Sequence, residues 1–145
     1  MKTIDTKRIK TVASYFIIAY LLNFFWETWH AVYLYEMHAT YSIKAYIGMI
    51  AYVSLVDALL LLGVFAVGAM IWKNFSWYNV MDQRKRAYVV LLALTIAIAI
   101  EIKGVYLLDQ WSYNEAMPVV FGIGISPLLQ LAVTGLLSIW LIRKN

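Results

Sequence analysis

Residues 46–72 read YIGMIAYVSLVDALLLLGVFAVGAMIW and contain a single charged side chain, Asp57. About 20 mostly apolar residues suffice to cross a bilayer, whereas a buried helix of a soluble domain is typically signalled by a shorter run of about 10–14. Three further segments match this one on either side of it, at residues 12–35, 87–109 and 119–142. Links of residues 36–45, 73–86 and 110–118 join the four. Short links between long helices predict an all-α, up-down-up-down four-helix membrane bundle.

Composition agrees. Of 145 residues, 63% are hydrophobic and 14% charged. Soluble domains average about 45–50% apolar and about 25% charged, so much of this surface faces something other than water. A chain of this length has room for one domain, residues 1–145. It has no cysteine, which excludes disulfides, thiolate metal sites and cysteine nucleophiles. The net charge of +4 is gathered in small basic groups between apolar runs. That placement suits anionic headgroups and does not suggest nucleic acid as a partner.

Those basic groups set the expected orientation. Lys2, Lys7, Arg8 and Lys10 precede the first helix, Lys73, Arg84, Lys85 and Arg86 flank the second link, and Arg143 and Lys144 follow the last helix. The first link holds only Lys44 and the third no Lys or Arg. The positive-inside rule therefore places both termini and the second link in the cytoplasm. Aromatic residues collect near the ends of the spans. Trp29, Tyr33, Tyr35, Tyr41, Tyr46, Trp111 and Tyr113 lie toward the outside, and Trp72, Trp77, Tyr78, Tyr88 and Trp140 toward the inside. Tyr and Trp favour the headgroup level, where an apolar body and a polar tip are both served. The first segment lacks a small-residue cleavage site and is expected to be retained.

Inside these spans stand side chains that hydrocarbon disfavours. An ionisable group there costs several kcal/mol or finds a partner, which makes it a candidate for function. Asn23, Glu27 and His30 fall within about 60° of arc on one helical face. Asp57 marks the second helix and Glu101 and Lys103 the third. The fourth carries Ser126, Gln130, Thr134 and Ser138 at intervals of four. At a rise of about 1.5 Å per residue, Glu27 and Glu101 lie about 12 Å deep, and Asn23, Asp57 and Gln130 about 16–18 Å. One polar slab, offset toward the outside, is expected. Glu101 and Lys103, two residues apart, should point to nearly opposite sides of their helix. The fourth-helix stripe favours close helix packing. Pro127 should kink that helix and make residues 121–127 a pocket wall.

Two carboxyls at one depth beside a histidine can relay a proton. Glu27, His30 and Glu101 are the candidate catalytic residues; Asn23, Asp57, Trp111, Tyr113, Ser126 and Gln130 are candidates for substrate binding. Glu27-Thr-Trp-His30 is a lone E-x-x-H step, and a two-metal bundle site needs two, so no metal is assigned. No phosphate loop, nucleophile elbow or kinase motif is present, and no cofactor is expected. The link 110–118 either lids the slab or forms an interfacial turn. The same polar groups could instead hold the bundle together by hydrogen bonding.

Asn23-Phe-Phe-Trp-Glu27-Thr-Trp-His30-Ala-Val-Tyr33-Leu-Tyr35 resembles the opening helix of a family of small prokaryotic four-helix membrane proteins. Trp111-Ser-Tyr113-Asn-Glu-Ala-Met117-Pro118 and Gly124-Ile-Ser126-Pro127-Leu-Leu-Gln130 resemble later parts of it. That family is left uncharacterised, with no established activity, so the resemblance implies no catalytic role; it does imply a multi-pass protein of a prokaryotic cytoplasmic (cell inner) membrane. Three readings follow: a membrane-embedded enzyme doing acid–base chemistry on a lipid or isoprenoid-like substrate, a small oligomeric transporter or channel, and a non-catalytic assembly subunit. Membrane lipids are the expected partners, with a homo-oligomer as the form a transporter would take.

Overall fold

The computed structural model describes residues 6–36 and 41–144; Lys2, counted above with the basic residues, lies outside them. Four helices carry the chain: α1 (Thr6–Leu34), α2 (Ile43–Ile71), α3 (Gln83–Glu101) and α4 (Ile125–Lys144). α3 runs on without a break as a π-helix over Ile102–Leu107. With that extension all four helices are long and apolar enough to cross a membrane, at 29, 29, 25 and 20 residues. This is the pattern of a multi-pass membrane protein.

Local chemistry sets the helix ends. Ser42 caps α2 by accepting from the Ala45 N–H, and Asp82 caps α3 by accepting from the Lys85 N–H at 2.9 Å. Lys73 just beyond α2 and Asp109 just beyond the π-helix both have positive φ, the left-handed turn that commonly stops a helix.

The start of α4 differs from the sequence expectation. Residues 119–124 are not helical. Val119–Val120 (β1) and Ile123–Gly124 (β2) pair as a minimal antiparallel hairpin around Phe121 and Gly122. Both turn residues have positive φ, 51° and 81°, as a tight two-residue hairpin turn demands. Pro127 therefore falls in the first turn of α4, where a missing N–H costs nothing, and the expected kink does not form.

α1 packs on both α2 and α4, and α3 packs on α4, while α2 and α3 meet along only part of their length. Their shared contact is at the basic end of the bundle. There Tyr15, Leu61, Phe65, Trp77, Val89 and Ile139 form a dense core. Trp77 and Tyr78, expected at the headgroup level, are instead buried, with Trp77 1% exposed. The link after α2 folds back under the bundle through a short 3-10 turn, Trp77–Asn79. This lets the Trp77 indole N–H donate to the Phe65 carbonyl at 3.1 Å, and the ring stacks on Trp72. Tyr88 closes the same contact, donating to the Val64 carbonyl at 2.8 Å.

Gly68 makes room for Trp77: a Cβ there would stand 2.5 Å from the indole ring. Alanine normally gains about 1 kcal/mol over glycine inside a helix. Overpacking a core costs about 1–3 kcal/mol, and this ring is pinned by its hydrogen bond and its stacking. Gly68→Ala should therefore lower the Tm in detergent, by the equivalent of about 1 kcal/mol; an unchanged or raised Tm in a thermal melt would contradict the packing described.

Candidate functional site

The polar residues of the half away from the basic end form two groups. Gln130, 3% exposed on α4, is the centre of the first. Its Nε2 lies 2.7 Å from Glu27 Oε1, 2.9 Å from Asp57 Oδ2 and 3.1 Å from Asn23 Oδ1. A carboxamide has two N–H hydrogens, so the two shorter contacts, to the acids, take them. The orientation of the amide follows from the chemistry, since three acceptors surround the atom that donates. Asn23 is fully buried and anchored locally, its own amide donating to the Ala19 carbonyl at 2.8 Å. The Thr134 hydroxyl lies 2.8 Å from the Gln130 carbonyl and 3.3 Å from Asn23 Oδ1. One side chain thus links α1, α2 and α4. It holds two acidic oxygens less than about 6 Å apart.

Glu101 is the centre of the second group. It is 4% exposed at the last turn of α3. The Trp111 indole donates to Glu101 Oε2 at 3.3 Å, and the Tyr113 hydroxyl makes a short hydrogen bond to the same oxygen. Of the two readings of the link 110–118, the geometry matches the lid: both aromatics turn inward over the acid. Gly104 admits Trp111, since a Cβ there would lie 2.0 Å from the ring. The link is also tied to the end of α1. Tyr35 and Tyr113 pair as an isolated β-bridge, the Asn114 N–H donates to the Leu34 carbonyl at 3.1 Å, and the Glu36 N–H to that of Ser112 at 3.3 Å.

Both groups open on one cavity of about 450 Å³. Glu27, His30, Asp57, Glu101, Lys103 and Gln130 contribute to its wall. Most of the remainder is apolar, from Met49, Tyr52, Val53 and Val56 of α2 and Ala97 and Ile100 of α3. These are the stretches over which α2 and α3 separate. Lys103, expected on the far side of its helix from Glu101, reaches the same wall from the π-helical segment. Its side chain is exposed, and a long flexible stem lets it reach the wall from there.

The other candidates stand further back. Tyr113 contacts the cavity through Glu101, and Asn23 through Gln130. Ser126 sits on the α1–α4 contact, accepting from the Trp26 indole at 3.3 Å. His30 Nδ1 lies 4.0 Å from Glu27 Oε1, and its ring packs 4.7 Å from that of Tyr35. Among the described residues no three His, Asp or Glu side chains are grouped so as to hold a metal ion. Sequence reasoning singled out neither Trp26 nor Lys103 as a site residue. Trp26 adjoins Glu27, and its neighbours on α4 depend on where that helix begins.

Neither a family model, nor a curated protein, nor a solved structure matches this chain. The fold and site define a class, a multi-helix membrane protein with a carboxylate-walled cavity between two of its helices, and what that cavity does is argued from its residues.

Replacing Gln130 by Leu leaves Glu27 and Asp57 without their shared donor. An unsatisfied buried polar group costs about 1–3 kcal/mol, more when charged. Gln130→Leu should lower the Tm at neutral pH by at least that equivalent, and Gln130→Asn less, if the shorter amide still reaches one acid. Tyr113 offers a test by pH. Burial, and then donation to Glu101, push its phenol above the ordinary value of about 10. The folded protein keeps this proton where the unfolded chain has lost it, so stability falls as pH rises past about 10. Tyr113→Phe should shrink that alkaline decline in a Tm-against-pH series; an unaltered slope would mean the phenol is not held as described.

Proposed function

We propose that the chain is a four-span, up-down-up-down protein of a prokaryotic cytoplasmic membrane. Both termini face the cytoplasm, and the cavity performs acid–base chemistry on a lipid or isoprenoid-like substrate. The observation that carries this reading is the convergence of Glu27, Asp57 and Glu101, from three different helices, on one cavity with largely apolar walls. Apolar walls favour an apolar body, and carboxyl groups at the end favour a group that can exchange protons or hydrogen bonds. The separation of α2 and α3 at this level supplies a sideways route from the bilayer, so a substrate need not leave the membrane to enter.

In this reading Glu27 and Glu101 are the proton-transfer pair. One, in its acid form, protonates the substrate, and the other, as carboxylate, removes a proton elsewhere on it. No net proton is consumed, and no oxidant or reductant is needed. Gln130 and Asp57 fix Glu27, while Trp111 and Tyr113 fix Glu101. His30, beside Glu27, can return the proton between turnovers. Transport has less support. Among the described residues, Tyr15, Leu61, Phe65, Trp77 and Val89 fill the basic half of the bundle beneath Gln130.

Deuterium uptake tests the proposal. Protein reconstituted with a prokaryotic lipid extract in heavy water should introduce deuterium at non-exchangeable carbon positions of one lipid, read by mass spectrometry. Glu27→Gln and Glu101→Gln should each cut this by about 100-fold or more, the usual size of an acid–base contribution, with circular dichroism unchanged. Full activity in both variants would sink the assignment.

A further inference from the structure

A second cavity lies at the opposite, basic end, away from the carboxylate site. It is an open groove of about 360 Å³ between the start of α3 and the end of α4. Met81, Leu136, Leu137 and Ile139 give it apolar walls, and Arg86, Arg143 and Trp140 line its rim. None of these lining residues is acidic. Arg86 Nε donates to the Met81 carbonyl at 3.0 Å, which orients the guanidinium and leaves its two terminal nitrogens for another acceptor. Arg143 is exposed in the last turn of α4. The ammonium of Lys144, one residue on, sits 3.7 Å over the Trp140 ring, so a third cation borders the rim. Trp140 is 47% exposed, a large aromatic surface at the level where Trp side chains meet headgroups.

We infer that this groove is a binding site for an anionic phospholipid, with the phosphate held by Arg86 and Arg143 and an acyl chain running along Leu136 and Leu137. Guanidinium groups grip phosphate oxygens with two parallel N–H bonds, which an ammonium cannot do. Basic pockets between membrane helices on the cytoplasmic side suit anionic headgroups. The volume holds the headgroup and the start of a chain, and the rest of the lipid stays in the bilayer. The position of each part matches: both arginines stand at helix ends, and the apolar wall lies one or two turns deeper. This inference rests on the membrane-spanning part of the reading above and is independent of the acid–base chemistry.

The test uses the full chain in nanodiscs of equal parts phosphatidylcholine and phosphatidylglycerol, released into mild detergent and weighed by native mass spectrometry. The wild type should retain phosphatidylglycerol over phosphatidylcholine. R86Q/R143Q should reduce that retention by about tenfold, whereas R84Q, whose arginine is exposed outside the groove, should not. If the double Gln variant fails to fold, R86K/R143K keeps the charge but loses the paired geometry, and it should still bind more weakly than the wild type. Equal retention of the two lipids by the wild type would overturn the inference, as would an equal loss in R84Q. Displacement of the lipid by millimolar inorganic phosphate would overturn it too, since the groove would then be a free-anion site. The deuterium assay reads the other cavity, so either proposal can fail alone.

Discussion

From a single nitrogen, Gln130 reaches one acid on α1 and another on α2, at 2.7 and 2.9 Å. Taking a carboxylate out of water costs several kcal/mol. Two full charges about 6 Å apart repel by a further 3 kcal/mol or so at an effective dielectric of about 20. An apolar residue at 130 would leave both costs uncompensated. A lysine would cancel one charge and turn the acids into a structural ion pair. A carboxamide donates to both and adds no charge of its own, so it fixes their positions without forming an ion pair. The choice of residue separates holding a group from neutralising it.

The two halves of the bundle solve different problems. Toward the basic end, rings from α1, α2 and the link after α2 interlock around Phe65, with centroids 4.8 Å from Tyr15, 5.3 Å from Tyr78 and 5.8 Å from Trp77. Small residues on α4 let that helix close in: a Cβ on Gly135 would come within 2.9 Å of Leu61. The hydroxyls of Thr134 and Ser138 bond to carbonyls one turn back in their own helix, so a polar stripe packs without leaving orphaned groups. Toward the other end, the same helices spread and the space between α2 and α3 is lined by Met49, Tyr52 and Val53. Packing is concentrated in one half, and the other is left open as a cavity.

Much of this was legible in the sequence because hydrocarbon imposes simple rules. Length and apolarity located the four helices, but the first begins at Thr6, six residues before the expected start, and the fourth at Ile125, six residues after it. Cost alone picked out Glu27, Asp57, Glu101 and Gln130, and rise per residue put them in one slab about 12–18 Å deep. What the sequence hid were features set by long-range contact. Phe121-Gly122 reads as part of an apolar run, and its hairpin turn is fixed by Tyr106, whose hydroxyl donates to the Gly122 carbonyl at 2.7 Å. Trp77 has the composition of an interfacial anchor, and only the bare Cα of Gly68, nine residues earlier, provides the slot that buries it. The inward turn of Trp111 likewise depends on Gly104 and on a π-helical segment that no residue pattern announces.

The uneven fastening of α2 has a mechanical consequence. Its lower half is locked into the aromatic core, while near the mouth Asp57 bonds to Gln130 and the Tyr46 hydroxyl donates to the Thr28 carbonyl at 2.9 Å. The roof over Glu101 is strapped to α1 and so does not travel with α2. Were this helix to tilt, the aromatic core would set the pivot near Leu61. Met49 lies 12 residues away, about 18 Å along the axis, so a tilt of about 5° shifts it by roughly 1.6 Å. A small rotation widens the mouth while Asp57, about 6 Å from the fulcrum, moves by only about 0.5 Å. Such a tilt would open the gap while leaving Asp57 close to its place against Gln130.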